Sequence, residues 1–132
     1  MRTVYELMVA VAEHLAEKPV KLRFQHNEGS YGICRTDSKG LTVIDLEPEL
    51  QFLNEAEFLR VFLHEVAHAK LDTFKPMNLE ASDRIQVQKT TIYNLKESRA
   101  EKQAQQWLNH AEQNRNKNLD YFEGCLFSLL EL

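Results

Sequence analysis

Asn54-Glu55-Ala56-Glu57-Phe58-Leu59-Arg60-Val61-Phe62-Leu63-His64-Glu65-Val66-Ala67-His68-Ala69-Lys70-Leu71 combines a helix start, an apolar stripe and a spaced histidine pair in one run. Asn54 is a favourable N-cap, and Glu57 three residues on completes the pattern of a capping box. Leu53 and Phe58 occupy the positions of a hydrophobic staple. Phe58, Phe62, Val66 and Ala69 then mark one apolar side, which predicts a helix reaching about Leu71.

Within this helix, residues 64–68 read His-Glu-x-x-His. Side chains four apart lie on the same helix face, so His64 and His68 can ligate one metal ion through their imidazoles. Glu65 can set its carboxylate beside a metal-bound water without ligating, the division of labour that metal-assisted hydrolysis requires. The motif sits among Phe62, Leu63, Val66 and Ala67, where half-buried imidazoles cost desolvation unless something binds them.

A catalytic zinc needs a third protein ligand and an open position. Glu97-Ser98-Arg99-Ala100-Glu101-Lys102-Gln103-Ala104 supplies candidates on a helix predicted over about 94–113. Glu97, Ala100, Glu101 and Ala104 share one face, and the alanines allow a close approach to the metal helix. One carboxylate can ligate the metal while the other accepts the free N–H of a ligand histidine. Spacing alone lets Glu97 and Glu101 exchange these roles.

Before the metal helix, residues 3–17 read as a helix from the spacing of Val4, Leu7, Met8, Val11 and Leu15, stopped by Pro19. Three strand-like runs follow at 20–24, 31–36 and 41–46, separated by turn signals at Asn27–Ser30 and Asp37–Gly40. They predict a small, mostly antiparallel sheet with two hairpin connections. After the metal helix, Pro76 breaks the chain and Leu79–Lys89 reads as a short separate helix. Leu119 to Leu132, with Leu119, Phe122, Leu126, Phe127, Leu129 and Leu130 on one side, reads as a terminal packing helix. The expected class is therefore α+β: a three-stranded sheet on four to five helices, in a single domain over 1–132.

Composition excludes several functions. The chain has 132 residues, with 43% hydrophobic and 27% charged, as a soluble globular protein has. Its two cysteines, Cys34 and Cys125, lie far apart, which rules out a disulfide framework and a thiolate zinc knuckle. They are expected as small buried apolar residues, and the cytoplasm as the location. A formal charge of −4 argues against direct nucleic-acid binding, and no apolar run is long enough for a membrane span. His14, His26 and His110 lack ligand spacing and are expected at ordinary polar positions. Trp107, Phe122 and Phe127 are expected in the core. The acidic stretch 45–57 (Asp45, Glu47, Glu49, Glu55, Glu57) is expected as a solvated face, which near a cleft would favour a basic peptide.

An apolar strand, a His-Glu-x-x-His helix and a later Glu-x-x-Ala-Glu helix together resemble the gluzincin-type zincin metallopeptidases, the ImmA/IrrE-like group in particular. That group is common in phages, conjugative elements and bacterial genomes. The similarity covers about residues 20–110 and extends to the zincin-like domains attached to antirestriction proteins. Gln105-Gln106-Trp107-Leu108 stands where the family carries an apolar run. The resemblance implies zinc held by His64, His68 and Glu97, with Glu101 as the histidine's partner and Glu65 as general base. It implies cleavage of a protein or peptide substrate, a transcriptional repressor being the family's type of target. Tyr93, Arg99 and His110 are candidates for a second donor to the developing oxyanion. The length leaves no room for a DNA-reading helix-turn-helix, so specificity is expected from the cleft or a partner. The non-catalytic alternative keeps the metal as a structural clip in a protein that binds a regulatory or restriction protein.

Overall fold

A computed structural model describes residues 3–26, 31–52, 54–71 and 83–132, the stretch 83–94 as backbone only. Helix α1 spans Val4–Ala16 and is followed by strands β1 (Val20–Phe24), β2 (Gly32–Thr36) and β3 (Thr42–Leu46). A 3-10 turn at Pro48–Phe52 leads into α2 (Glu55–Leu71), α3 (Asp83–Asn114) and α4 (Tyr121–Leu129). The molecule is thus mixed α+β, with four α-helices and a three-stranded mixed sheet among the described residues. No helix among them is long and apolar enough to cross a membrane.

The helix ends follow local chemistry. Thr3 caps α1, its Oγ1 accepting the Glu6 N–H at 3.1 Å. α1 closes through Glu17, which adopts a left-handed conformation (φ 59°) and donates its N–H to Glu13 O. Asn54 caps α2, its Oδ1 accepting the Ala56 N–H at 2.8 Å. Glu57 does not close the expected capping box, since its carboxylate pairs with Arg60 instead. Leu53 lies outside the described residues.

The sheet corrects the expected topology. Strand order is β1-β3-β2, with β3 antiparallel to β2 and parallel to β1. The second hairpin forms: Asp37 Oδ1 accepts the N–H groups of Lys39 and Leu41, each at 2.9 Å, and Gly40 turns the chain at φ 83°. The first does not, because β3 inserts between β1 and β2. Every residue of β3 is buried, as in a central strand flanked on both sides, while β1 and β2 are only partly buried. Charge reinforces this order. Arg23 of β1 stands opposite Asp45 and donates to both its oxygens, at 2.7 and 3.0 Å, and Arg35 Nε of β2 reaches Oδ2 at 3.4 Å. Pairing β1 directly with β2 would instead bring the two arginines together.

α2 is the central helix. It packs against α1, α3, α4, β2, β3 and the 3-10 turn, and from Phe58 to Ala69 all but Arg60 and His64 are buried. Ala100, Ala104, Trp107, Leu108 and Ala111 of α3 are buried, as are Phe122, Cys125, Leu126 and Leu129 of α4. Phe58 and Phe122 stack with ring centroids 4.8 Å apart. The buried apolar side chains join α1, the sheet and α2–α4 into one contiguous core. Both cysteines are buried and neither is in a disulfide.

Three further expectations change. The separate helix over 79–89 and the one over 94–113 are a single 32-residue helix from Asp83, with 79–82 outside the described residues. The terminal helix is shorter than the apolar run that predicted it, and Phe127 is exposed. The acidic stretch is not uniformly solvated, since Asp45 and Glu47 are buried and paired, Glu47 with His26.

Two stability predictions follow from these contacts. A Cβ on Gly124 would stand 2.5 Å from the Asn116 carbonyl oxygen. Gly124→Ala is therefore expected to lower unfolding free energy by about 1–3 kcal/mol in urea titration. Burial alone would raise the Asp45 carboxyl, but hydrogen bonds and charge from Arg23, then Arg35, outweigh it and hold it below its ordinary value of 3.8. A lowered native pKa stabilises above the ordinary value, and that stability is lost as pH falls through the native value. Thermal unfolding below about pH 4 should therefore steepen with acid in the wild type and flatten in Asp45→Asn.

Candidate metal centre

Arg60, His64 and His68 recur every four residues along α2 and form one stripe facing α3. Glu101 and Glu97 form the matching stripe on α3. Arg60 Nη1 contacts Glu101 Oε1 at 3.5 Å, and Glu101 Oε2 lies 2.8 Å from His64 Nδ1. Glu97 Oε2 lies 2.8 Å from His64 Nε2, and Glu97 Oε1 lies 2.8 Å from His68 Nε2. Numbers rise on α2 as they fall on α3, so the two helices run antiparallel and their polar groups interleave. Buried Ala100 and Ala104 bring the backbones close enough for these short side chains to meet.

The donors converge on one point. His64 Nε2 and His68 Nε2 are 3.2 Å apart, with a Glu97 oxygen 2.8 Å from each. Ligand atoms about 2.0–2.1 Å from a tetrahedral ion stand about 3.3 Å from one another. The spacing therefore fits the edges of such a coordination shell. Protons serve it less well. To donate to both carboxylates, His64 must carry a proton on each ring nitrogen. A divalent cation here would be held by the imidazoles of His64 and His68 and the carboxylate of Glu97. His64 Nδ1–H would then be left to donate to Glu101, which would fix the ring.

Glu65 stands behind the pair. A ligand atom from each of His64, Glu65 and His68 lies within 4.8 Å of the others, a group able to hold a metal ion. Glu65 and His68 are each only 6% exposed. Burial pushes the Glu65 carboxyl up to about 7, against the pull of His64 and with the help of Glu97. Such a group exchanges protons near neutrality. Its side chain fits because β2 carries Gly32 there: a Cβ on Gly32 would stand 2.9 Å from Glu65 Cγ.

The structure thus brings together His64, Glu65, His68, Glu97 and Glu101, and the other candidates fall elsewhere. Arg99 is exposed and sits about 200° around α3 from Glu97, on the opposite face. His110 is nine residues beyond Glu101, again about half a turn away, and its Nδ1 lies 3.4 Å from the Asn114 amide. The Tyr93 side chain lies outside the described residues. His14 Nε2 meets the Leu132 carbonyl at 2.7 Å, and His26 pairs with Glu47. Two residues escaped the sequence reading. Arg60 carries a usable signal, since it precedes His64 by four. Gly32 carries none, because its contact with Glu65 is made across the fold. No known family, characterised protein or solved structure matches the chain.

The two glutamates are separable by titration. Glu97→Ala is expected to weaken Zn2+ affinity well beyond about 100-fold in competition with a chromophoric chelator, since it removes the group touching both imidazoles. Glu101→Gln is expected to cost about 10–100-fold, the usual loss when a histidine's supporting partner is removed. The reverse order would make Glu101 the ligand.

Proposed function

We propose that the chain is a zinc-dependent endopeptidase of narrow specificity with a zincin-like core, related in mechanism to the ImmA/IrrE-like group. The observation that carries this reading is the convergence of His64, His68 and Glu97, with the Glu65 carboxylate buried alongside. His64, His68 and Glu97 would hold the metal, and their nitrogen and carboxylate donors suit zinc. Zinc, when bound, acidifies a water towards neutral pH and polarises a substrate carbonyl. Glu65 takes the proton from the attacking water and returns it to the leaving amine. Desolvation keeps its carboxyl able to do both near neutrality. Glu101 holds His64 through Nδ1, and Arg60 braces Glu101 from the far side. Gly32 fixes the depth of the Glu65 side chain, because any larger residue would collide with it. The substrate is a protein, with a regulatory protein such as a transcriptional repressor of a phage or mobile element as the favoured class.

The test uses the zinc-loaded protein and the proteins encoded beside it. Wild type should cut one of them in a chelator-sensitive reaction. Glu65→Gln should retain zinc and cut at least about 100-fold more slowly, the scale of a lost general base. Equal effects of wild type and Glu65→Gln on the target would favour a binding protein with a structural metal.

A further inference from the structure

Strand alternation divides the sheet into two faces. Gly32 and Cys34 of β2 and Ile44 and Leu46 of β3 point to the helices, with Val20 and Leu22 of β1. Lys21, Arg23, Ile33, Arg35, Val43 and Asp45 therefore point the other way. Val43 is buried yet stands outside the contiguous core, flanked in register by Lys21 and Arg35. Among the described residues no helix covers this face. Lys21 and Ile33 are exposed, and the side chains of Arg23 and Arg35 are 34% and 43% exposed.

Its charge is opposite to that of the chain. Lys21, Arg23 and Arg35 surround the single carboxylate of Asp45, leaving two positive charges in excess on a protein of net −4. In the adjoining turn Asp37 and Lys39 balance each other. Asp45 also orders the arginines. It engages Nε and Nη2 of Arg23 and Nε of Arg35, so Nη1 of Arg23 and both terminal nitrogens of Arg35 remain to donate. Two guanidinium forks held by one buried carboxylate have already lost much of the side-chain freedom that binding would otherwise remove.

We propose that this face docks an extended, acidic segment of a partner protein. Lys21 and Arg23 lie two residues apart on one strand, about 6.6 Å, the spacing of alternate side chains in an extended peptide. Carboxylates at alternate positions match it, and exposed Ile33 and Tyr31 border the same face. Nucleic acid fits less well: three cations with a carboxylate among them neutralise few phosphates, and the acidic chain repels the rest. The docking does not depend on the metal centre, which opens between α2 and α3.

Fluorescence anisotropy with a labelled (Glu-Val)4 peptide tests it, with (Lys-Val)4 and a ten-nucleotide oligothymidine as competing probes. The expected result is saturable binding of the acidic peptide that weakens as salt rises. Lys21→Glu, which leaves the partners of Asp45 intact, should weaken it about fivefold or more, and Arg35→Gln should weaken it likewise. Absence of saturable binding at low salt, unchanged affinity in Lys21→Glu, or tighter binding of the oligonucleotide would each overturn the proposal.

Discussion

Carboxylates and imidazoles drawn into a helix interface lose part of their water and need partners there. The α2–α3 interface meets this condition by alternation: Arg60, Glu101, His64, Glu97 and His68 interleave, each within 3.5 Å of the next. Much else in the fold makes that alternation possible. The alanines of α3 set the distance between the helices. The sheet, α1 and α4 bury the remaining faces of α2 and hold its polar stripe against α3. The cost is concentrated on Glu65, which lies on a buried flank with its carboxyl destabilised as an anion.

Much of this was legible from residue spacing. The strand and helix positions follow from period 2 and period 3.6, because periodicity reports which residues share a face. Periodicity does not report partners, and so it suggests a β1–β2 hairpin where β3 intervenes. The signal for the true order was the all-round apolarity of β3 together with one acid, Asp45, between two basic strands. Periodicity divides α3, because its N-terminal half lacks an apolar stripe strong enough to read through. Phe127 falls within the apolar run that marks the terminal helix, yet the helix turns it to solvent.

At the metal centre, the histidine pair and the shared face of Glu97 and Glu101 were evident from i, i+4 spacing. The choice between the two glutamates was not, because both lie on the same stripe and only the axial offset of α3 against α2 separates them. That offset depends on packing at Ala100, Ala104 and Trp107. Gly32 marks the limit of sequence reading, since its role depends on a side chain 33 positions away.

The alternation also behaves as a vernier. Were α3 to slide by four residues, about 6 Å, Glu101 would take the place of Glu97 between the imidazoles, and Gln105 would face His64 Nδ1. Arg60 would then keep only Glu57 of its two carboxylates, and the ring would exchange an anionic support for a neutral amide. The two glutamates thus encode their own alignment: a second, shifted arrangement supplies a third donor but not its support. A chain with acids at every fourth position would lack this gauge and could settle in several registers.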